Sequence, residues 1–234
     1  MTRALLCLVL VAAAAVAPSA SRARSSADDP CIKPGERAVE LRASDGAVVY
    51  GVEIGTGTTG VVFGHQFLSD HCEFIDFARE LASRGYRTLT IDFRGYGGSS
   101  GGDGRRLDRD IAAAVARLRS DGATRIKLVG ASMGGTAVLV ASAQIKPAVN
   151  GVVSLSAPAR YRGLDAVRAV RQARVPVRFV AARRDYRFAV DARTLMKAAK
   201  AKNKATLMVA GGRHGSSVLD VPWVKASVQA FLAR

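Results

Sequence analysis

The chain has 234 residues, 49% of them hydrophobic and 6% aromatic, with 23 glycines and 7 prolines. That suits one α/β domain able to bury a full core, and it excludes a disordered or collagen-like chain. The 35 Lys+Arg against 19 Asp+Glu give a net charge of +16, which raises nucleic acid, anionic membrane and acidic polymer as partners.

In chain order, Arg3 precedes an uninterrupted apolar run of 14 residues, Ala4 to Ala17, followed by small residues from Pro18 to Ala23. Residues 1–23 therefore read as an export signal peptide, cut after Ala20 or Ala23, and predict a secreted or cell-envelope protein. The alternative is an uncleaved anchor, although the run is short for a bilayer span. Without Cys7 two cysteines remain, Cys31 and Cys72, and an even number in an exported chain reads as one disulfide. Two free buried thiols are the other reading. Residues 24–36, with Pro30 and Pro34, read as a flexible N-terminal arm, and 37–234 as the domain.

From Ala38 strand and helix patterns alternate. Val39–Arg42 and Val48–Ile54 flank Ser44-Asp45-Gly46 as a hairpin, and Gly60–Phe63 is a short apolar strand. Phe74, Phe77, Ala78 and Leu81 predict a helix over 71–83, ended by Gly85. The strand Tyr86–Ile91 leads to a glycine-rich loop, 93–104, and the helix Leu107–Leu118. Strands follow at 126–129, 152–155, 177–181 and 205–209, with helices near 134–144, 164–173, 189–200 and 220–232. This order predicts a mostly parallel sheet with helices on both faces.

Gly130-Ala131-Ser132-Met133-Gly134 matches Gly-x-Ser-x-Gly, but so do Gly97–Gly101 and Gly98–Gly102. Only Ser132 follows an apolar strand and opens an apolar helix. That setting forces a sharp turn, exposes the hydroxyl and aims the Met133 N–H at a developing oxyanion. A serine nucleophile needs a base, and of His65, His71 and His214 only His214 follows the last strand and precedes the last helix. Asp185 follows the preceding strand and can orient it. The rival readings are a turn without chemistry at Ser132, pairing of Asp185 with Arg183, Arg184 or Arg187, and His65 as the base.

With Asp92-Phe93-Arg94-Gly95-Tyr96-Gly97-Gly98-Ser99, the turn at Ser132, Ser156-Ala157-Pro158, Asp185 and His214-Gly215 in this order, the chain resembles the α/β-hydrolase superfamily over residues 38–233. The esterases and dienelactone hydrolases are the similar members. The resemblance implies an eight-stranded sheet of order 1-2-4-3-5-6-7-8 and acyl transfer to water through an acyl-enzyme on Ser132. It also implies Phe67 N–H as the second oxyanion donor beside Met133 N–H. Gln66 stands where the family has glycine after His65, and its amide either donates to the oxyanion or rims the pocket. His65 is read as holding the oxyanion loop, and Asp92 as binding the backbone of its own glycine loop.

Only one short helix fits between Pro158 and Val177, so no cap domain is expected, and the site should be open and shallow. The leading expectation is a monomeric serine esterase for small-molecule or lipid-like carboxylic esters. Acyl transfer to another acceptor, amide cleavage and a non-catalytic envelope-binding protein remain as alternatives. The histidines and cysteines lack ligand spacing, so no metal is expected. The glycine loop lacks Gly-Lys-Ser/Thr, and no cofactor is expected. Loss of Arg3 and Arg22 with residues 1–23 lowers the charge from +16 to +14, and the remainder is spread over the chain with arginine concentrated between Arg160 and Arg187. Nucleic acid is therefore not expected as a partner, whereas weak attraction to anionic envelope components is.

Overall fold

The computed structural model describes residues 29–234, so the segment 1–23 read as a signal peptide lies outside the described residues. Eight strands form one sheet: β1 (Arg37–Arg42), β2 (Val48–Ile54), β3 (Thr59–Gly64), β4 (Arg87–Ile91), β5 (Arg125–Ala131), β6 (Gly151–Leu155), β9 (Val177–Ala182) and β10 (Lys204–Val209). Their order is β1-β2-β4-β3-β5-β6-β9-β10. The leading hairpin β1–β2 joins β4 antiparallel, and every other neighbour pair is parallel. This is the order expected from the resemblance. The remaining pair, β7 (Arg160–Tyr161) and β8 (Leu164–Asp165), is a small antiparallel ribbon beyond β6 that no alternation in the sequence predicted.

The central strands are apolar on both sides because both faces are covered. Val62, Leu128 and Val152 point to one core with α2 (Leu107–Ser120), α3 (Met133–Gln144), α4 (Ala166–Gln172) and α5 (Tyr186–Ala198). Their neighbours Val61, Val129 and Val153 point to the opposite core with α1 (Ile75–Ala82) and α6 (Pro222–Leu232). α3 is apolar all round and buried from Met133 to Ser142, which fits a helix packed between α2, α4 and the sheet.

Several helix boundaries differ from the sequence reading. The predicted 71–83 helix begins as a 3-10 turn, His71–Phe74, because the Asp70 carboxylate caps Cys72 N and tightens the first turn. Leu164 and Asp165, read as helical, belong to β8, and Asp165 caps α4 through Arg168 N. The helix read from 220 is preceded by a 3-10 turn, Gly215–Asp220, with Pro222 opening α6.

The described part of the arm, residues 29–36, is fastened rather than loose. Cys31 and Cys72 form a disulfide. Glu36 receives two hydrogen bonds from Arg79, at 2.6 and 2.9 Å. Asp29 is buried against His71, which Asp92 contacts on its other nitrogen at 2.9 Å.

One buried charge runs against the core. Lys127 is 2% exposed, donates to Asn150 O at 3.2 Å and lies 5.1 Å from the centre of the Phe231 ring, with no carboxylate partner among the described residues. Burial, helped by Arg125 and Arg178, pulls its pKa from 10.5 down to about 8. Between those values the unfolded chain holds a proton the folded chain has released, so wild-type stability rises with pH there. Lys127→Met is expected to stabilise the protein by about 1–3 kcal/mol near neutral pH, a gain that shrinks towards pH ~10. Urea denaturation at both pH values checks it.

Candidate active site

Ser132 sits at the junction of β5 and α3 with φ 48° and ψ −115°, outside the regions that side chains prefer. Ser132 N donates to Leu155 O at 2.8 Å, and Thr136 N donates to Ser132 O at 3.1 Å, which holds the turn. The flanking glycines are required by space. A Cβ on Gly130 would lie 2.3 Å from Gly134 O, and one on Gly134 would lie 2.2 Å from Gly64 O. Met133 is the first residue of α3, so its N–H has no acceptor within the helix and sits at the positive end of the helix dipole.

Asp185 follows β9 and stands at the N-cap of α5, yet its carboxylate makes no capping bond. It meets His214 Nδ1 instead, at 2.9 and 3.2 Å. No ion pair joins Asp185 to Arg183, Arg184 or Arg187 among the described residues, which removes the rival reading of that carboxylate. His214 lies between β10 and the Gly215–Asp220 turn, with the Phe188 ring centre 4.3 Å from its own. Ser132 and His214 line one open cavity of about 410 Å³, together with Gln66, Phe67, Pro158 and Tyr161. The structure thus joins Asp185 to His214 by hydrogen bonds and brings Ser132 and His214 to a common wall. Among the described residues no hydrogen bond links Ser132 to His214.

The loop after β3 forms the opposite wall. His65 is fully buried, accepts from Phe93 N through Nε2 at 3.0 Å and turns Nδ1 to Gln66 O at 2.7 Å. Its Nε2 must therefore be unprotonated and Nδ1–H the donor. Burial depresses its pKa, so it stays neutral as a brace for this loop. Ser69 N closes a turn onto Gln66 O at 3.3 Å, and the left-handed conformation falls on Leu68, at φ 59°. Gln66 does not need glycine's freedom, which accounts for the tolerated departure from the family pattern.

Gln66 lines the cavity, with Oε1 buried against Gly215 and without a hydrogen-bond partner. A Cβ on Gly215 would come within 1.9 Å of that oxygen, so the glycine after His214 makes room for Gln66. Phe67 is 49% exposed at the rim. Glu73, not anticipated from the sequence, accepts Gln66 N at 2.7 Å and anchors the same loop, while burial pushes its carboxyl pKa up.

The other two serine motifs are structural. Ser99 Oγ donates to Asp92 O at 2.7 Å and accepts Tyr50 N at 2.8 Å, while Ser100 Oγ accepts Val48 N at 3.3 Å. Asp92 accepts Gly98 N at 2.7 Å, as expected of a residue holding its own glycine loop, and it also pairs with His71. Asp29, Cys31, His71 and Cys72, and Asp70, His71 and Asp92, are close enough to hold a cation. Their donors are already used: the cysteines are bonded to each other, and both His71 nitrogens face carboxylates.

A doubly covered, mostly parallel sheet with a strained serine at the end of β5, and an acid–histidine pair beyond β9 and β10, defines a protein of the α/β-hydrolase class. The chain belongs to the alpha/beta hydrolase fold family, whose model matches residues 60–214. It is similar to an esterase of Pyrococcus furiosus, Pf2001, at 20% identity and a TM-score of 0.75, covering 85% of this chain and 92% of that one. It is also similar to Est1E of Butyrivibrio proteoclasticus, solved with ferulic acid bound, at 17% identity and a TM-score of 0.70, with 84% and 100% covered. A dienelactone hydrolase of Anabaena variabilis matches at 20% identity and a TM-score of 0.69, with 86% and 97% covered. No cap domain is present among the described residues; the β6–β9 connection carries only the ribbon and α4.

Proposed function

We propose that this chain is an exported serine hydrolase that cleaves carboxylic esters. The observation that carries the reading is the strained Ser132 facing the same cavity as a histidine whose Nδ1 is committed to a carboxylate. With Nδ1–H donated to Asp185, Nε2 is the basic nitrogen of His214. It takes the proton as Ser132 Oγ bonds to the ester carbonyl carbon, and the N–H groups of Met133 and Phe67 hold the resulting oxyanion. Collapse breaks the carbon–oxygen bond to the alcohol, which leaves with that proton, and Ser132 is acylated. Water, deprotonated by His214, then releases the acid and restores the serine. Catalytic hydrogen bonds are often long before substrate binds, so the separated Ser132 and His214 fit a resting site.

The Cys31–Cys72 disulfide supports an oxidising compartment, in line with the export signal read over residues 1–23. No helix among the described residues is long and apolar enough to cross a membrane. The test is hydrolysis of p-nitrophenyl acetate by the purified protein. Saturable turnover is expected, and its absence from a folded, oxidised sample would overturn the reading.

Arg160 and Arg187 stand at the cavity mouth, 75% and 72% exposed, which favours esters that carry a negative charge. Hydrolysis of p-nitrophenyl hydrogen succinate relative to the neutral butyrate is expected to fall several-fold, roughly 5-fold, between low and high salt. Arg160→Gln/Arg187→Gln should remove that difference. An identical salt response for the two esters would contradict it.

A further inference from the structure

The Cys31–Cys72 disulfide lies against a polar cluster that ester cleavage does not use. His71 and Asp29 are buried there, while the two cysteines are half-buried and within reach of solvent. The imidazole turns Nδ1 to Asp92 Oδ1 at 2.9 Å and Nε2 to Asp29 Oδ2 at 3.1 Å. Among the described residues neither carboxylate has another cationic partner. Two buried carboxylates therefore share one imidazole, and the cluster keeps a surplus of negative charge.

Four donor atoms meet at this point. One Asp29 oxygen, Cys31 Sγ, His71 Nε2 and Cys72 Sγ all lie within 4.8 Å of one another. His71 Nε2 is 3.6 Å from Cys72 Sγ, and 3.1 and 3.3 Å from the two Asp29 oxygens. In a tetrahedral zinc site nitrogen and sulfur ligands stand about 3.6 Å apart, and nitrogen and oxygen about 3.3 Å, given bonds of about 2.0–2.3 Å. Three donors thus already mark three corners of such a tetrahedron. The sulfurs are the exception, being bonded to each other where zinc would hold them about 3.8 Å apart. The surroundings also suit ligands. His71 Nδ1 faces Asp92, Asp29 Oδ1 accepts Cys31 N at 3.0 Å, and Asp29 Oδ2 accepts the Tyr50 hydroxyl at 3.2 Å. Bonds of this kind fix the orientation of metal-bound histidines and carboxylates.

We propose that reduction of the Cys31–Cys72 bond converts this cluster into a zinc site, with Asp29, Cys31, His71 and Cys72 as its ligands. Two thiolates and an imidazole suit zinc, whereas magnesium and calcium take oxygen ligands. A phosphine splits the sulfur–sulfur bond with one water: the phosphine leaves as its oxide, and the two hydrogens of that water end on the sulfurs. Zinc then displaces both thiol protons and the Nε2 proton of His71 into the buffer, with no change in its own oxidation state. The ion offsets the surplus charge of Asp29 and Asp92 and keeps the arm fastened where the disulfide had held it. The ligands come as two short pairs, Asp29 with Cys31 and His71 with Cys72, so no usual zinc spacing shows in the sequence. None of the four lines the Ser132 cavity, and the proposal stands or falls independently of ester cleavage.

Zinc binding by the full chain, reduced with a water-soluble phosphine and freed of it by gel filtration under nitrogen, tests this. Competition with the chromophoric chelator pyridylazoresorcinol reads the affinity. The reduced protein should take up one zinc ion per chain, and zinc should shield Cys31 and Cys72 from iodoacetamide. The oxidised protein keeps Cys7 and every histidine and carboxylate but lacks the two thiols, so it reports adventitious zinc and should hold none against the chelator. Cobalt in place of zinc should give the intense visible bands of a tetrahedral thiolate site. Cys31→Ser and Asp29→Ala both fall on the arm, outside the sheet and helices, and should each weaken zinc roughly 100-fold or more with unchanged circular dichroism. Zinc uptake by the reduced protein no greater than by the oxidised one would overturn the proposal. So would unchanged affinity in either variant, or cobalt bands typical of six oxygen ligands.

Discussion

Ser132→Ala is expected to cut p-nitrophenyl acetate turnover by roughly 10⁴-fold or more while the protein stays folded. The geometry separates the two effects. Ser132 Oγ makes no hydrogen bond that holds the fold among the described residues, whereas the backbone of Ser132 does, through Leu155 O and Thr136 N. Alanine keeps those bonds and meets the same strain at φ 48° as serine does, so stability should change by no more than about 1 kcal/mol. His214→Ala should cost about as much as Ser132→Ala, and the double variant no more than either, because nucleophile and base act as one unit. Asp185→Asn should fall in the same direction, since the amide loses the negative charge and its NH2 donates to Nδ1, favouring the wrong His214 tautomer. Ser99→Ala, in the other serine motif, should retain turnover, because its hydroxyl serves Asp92 O and Tyr50 N. Initial rates on these variants, alongside thermal melts, check each arm.

Cys31→Ser/Cys72→Ser is expected to destabilise the protein by about 4 kcal/mol. The bond closes a sequence separation of 41 residues, and the chain entropy it removes from the unfolded state sets that figure. For a domain of this size the melting temperature should drop by roughly 8–16 °C. The loss reaches further than the crosslink, because the tether carries Asp29 to His71. That imidazole is buried between Asp29 Oδ2 at 3.1 Å and Asp92 Oδ1 at 2.9 Å. Burial alone would lower the His71 pKa, but the Asp92 hydrogen bond and the two carboxylates outweigh it and the net shift is upward. Burial likewise opposes the Asp92 charge, and the His71 bond overrides it, leaving the Asp92 pKa lowered.

The signs then fix the pH window. The His71 contribution is fully present below the unfolded imidazole value of 6.5 and is lost as pH rises through the raised folded value. The Asp92 contribution is present above the unfolded carboxyl value of 3.8 and is lost as pH falls through the lowered folded value. Releasing the tether should flatten the His71 arm of the stability profile as well as lower it. Denaturant titrations of both proteins across this range measure that, and equal stability of the serine variant would contradict the role given to the bond.

The sequence shows most clearly the parts of this molecule set by local chemistry. Gly130, Ser132 and Gly134 declare the turn because close backbone packing admits nothing larger there. The apolar strands declare the sheet because both faces are covered. Asp185 and His214 could be placed because each follows a strand at the same sheet edge, although they are 29 positions apart. The start of α5 at Tyr186 was not legible, since Tyr186 and Arg187 are exposed and carry no apolar period. Nor was the β7–β8 ribbon, whose two-residue strands are too short for an alternation to show.

Glu73 and His71 were missed for another reason. Their roles depend on partners brought close by tertiary folding, Gln66 N for Glu73 and Asp29 with Asp92 for His71. The one local trace was the run Asp70-His71-Cys72-Glu73, crowded at the head of an amphipathic helix before its first apolar position, Phe74.

The central claim is that Ser132 is a nucleophile activated by His214. Treatment of the folded protein with diisopropyl fluorophosphate, followed by peptide mapping, tests it most directly. The account predicts one phosphoryl adduct, on Ser132, and none in His214→Ala. A folded, oxidised protein that stays unlabelled, or one labelled on Ser99 or Ser100 instead, would contradict it.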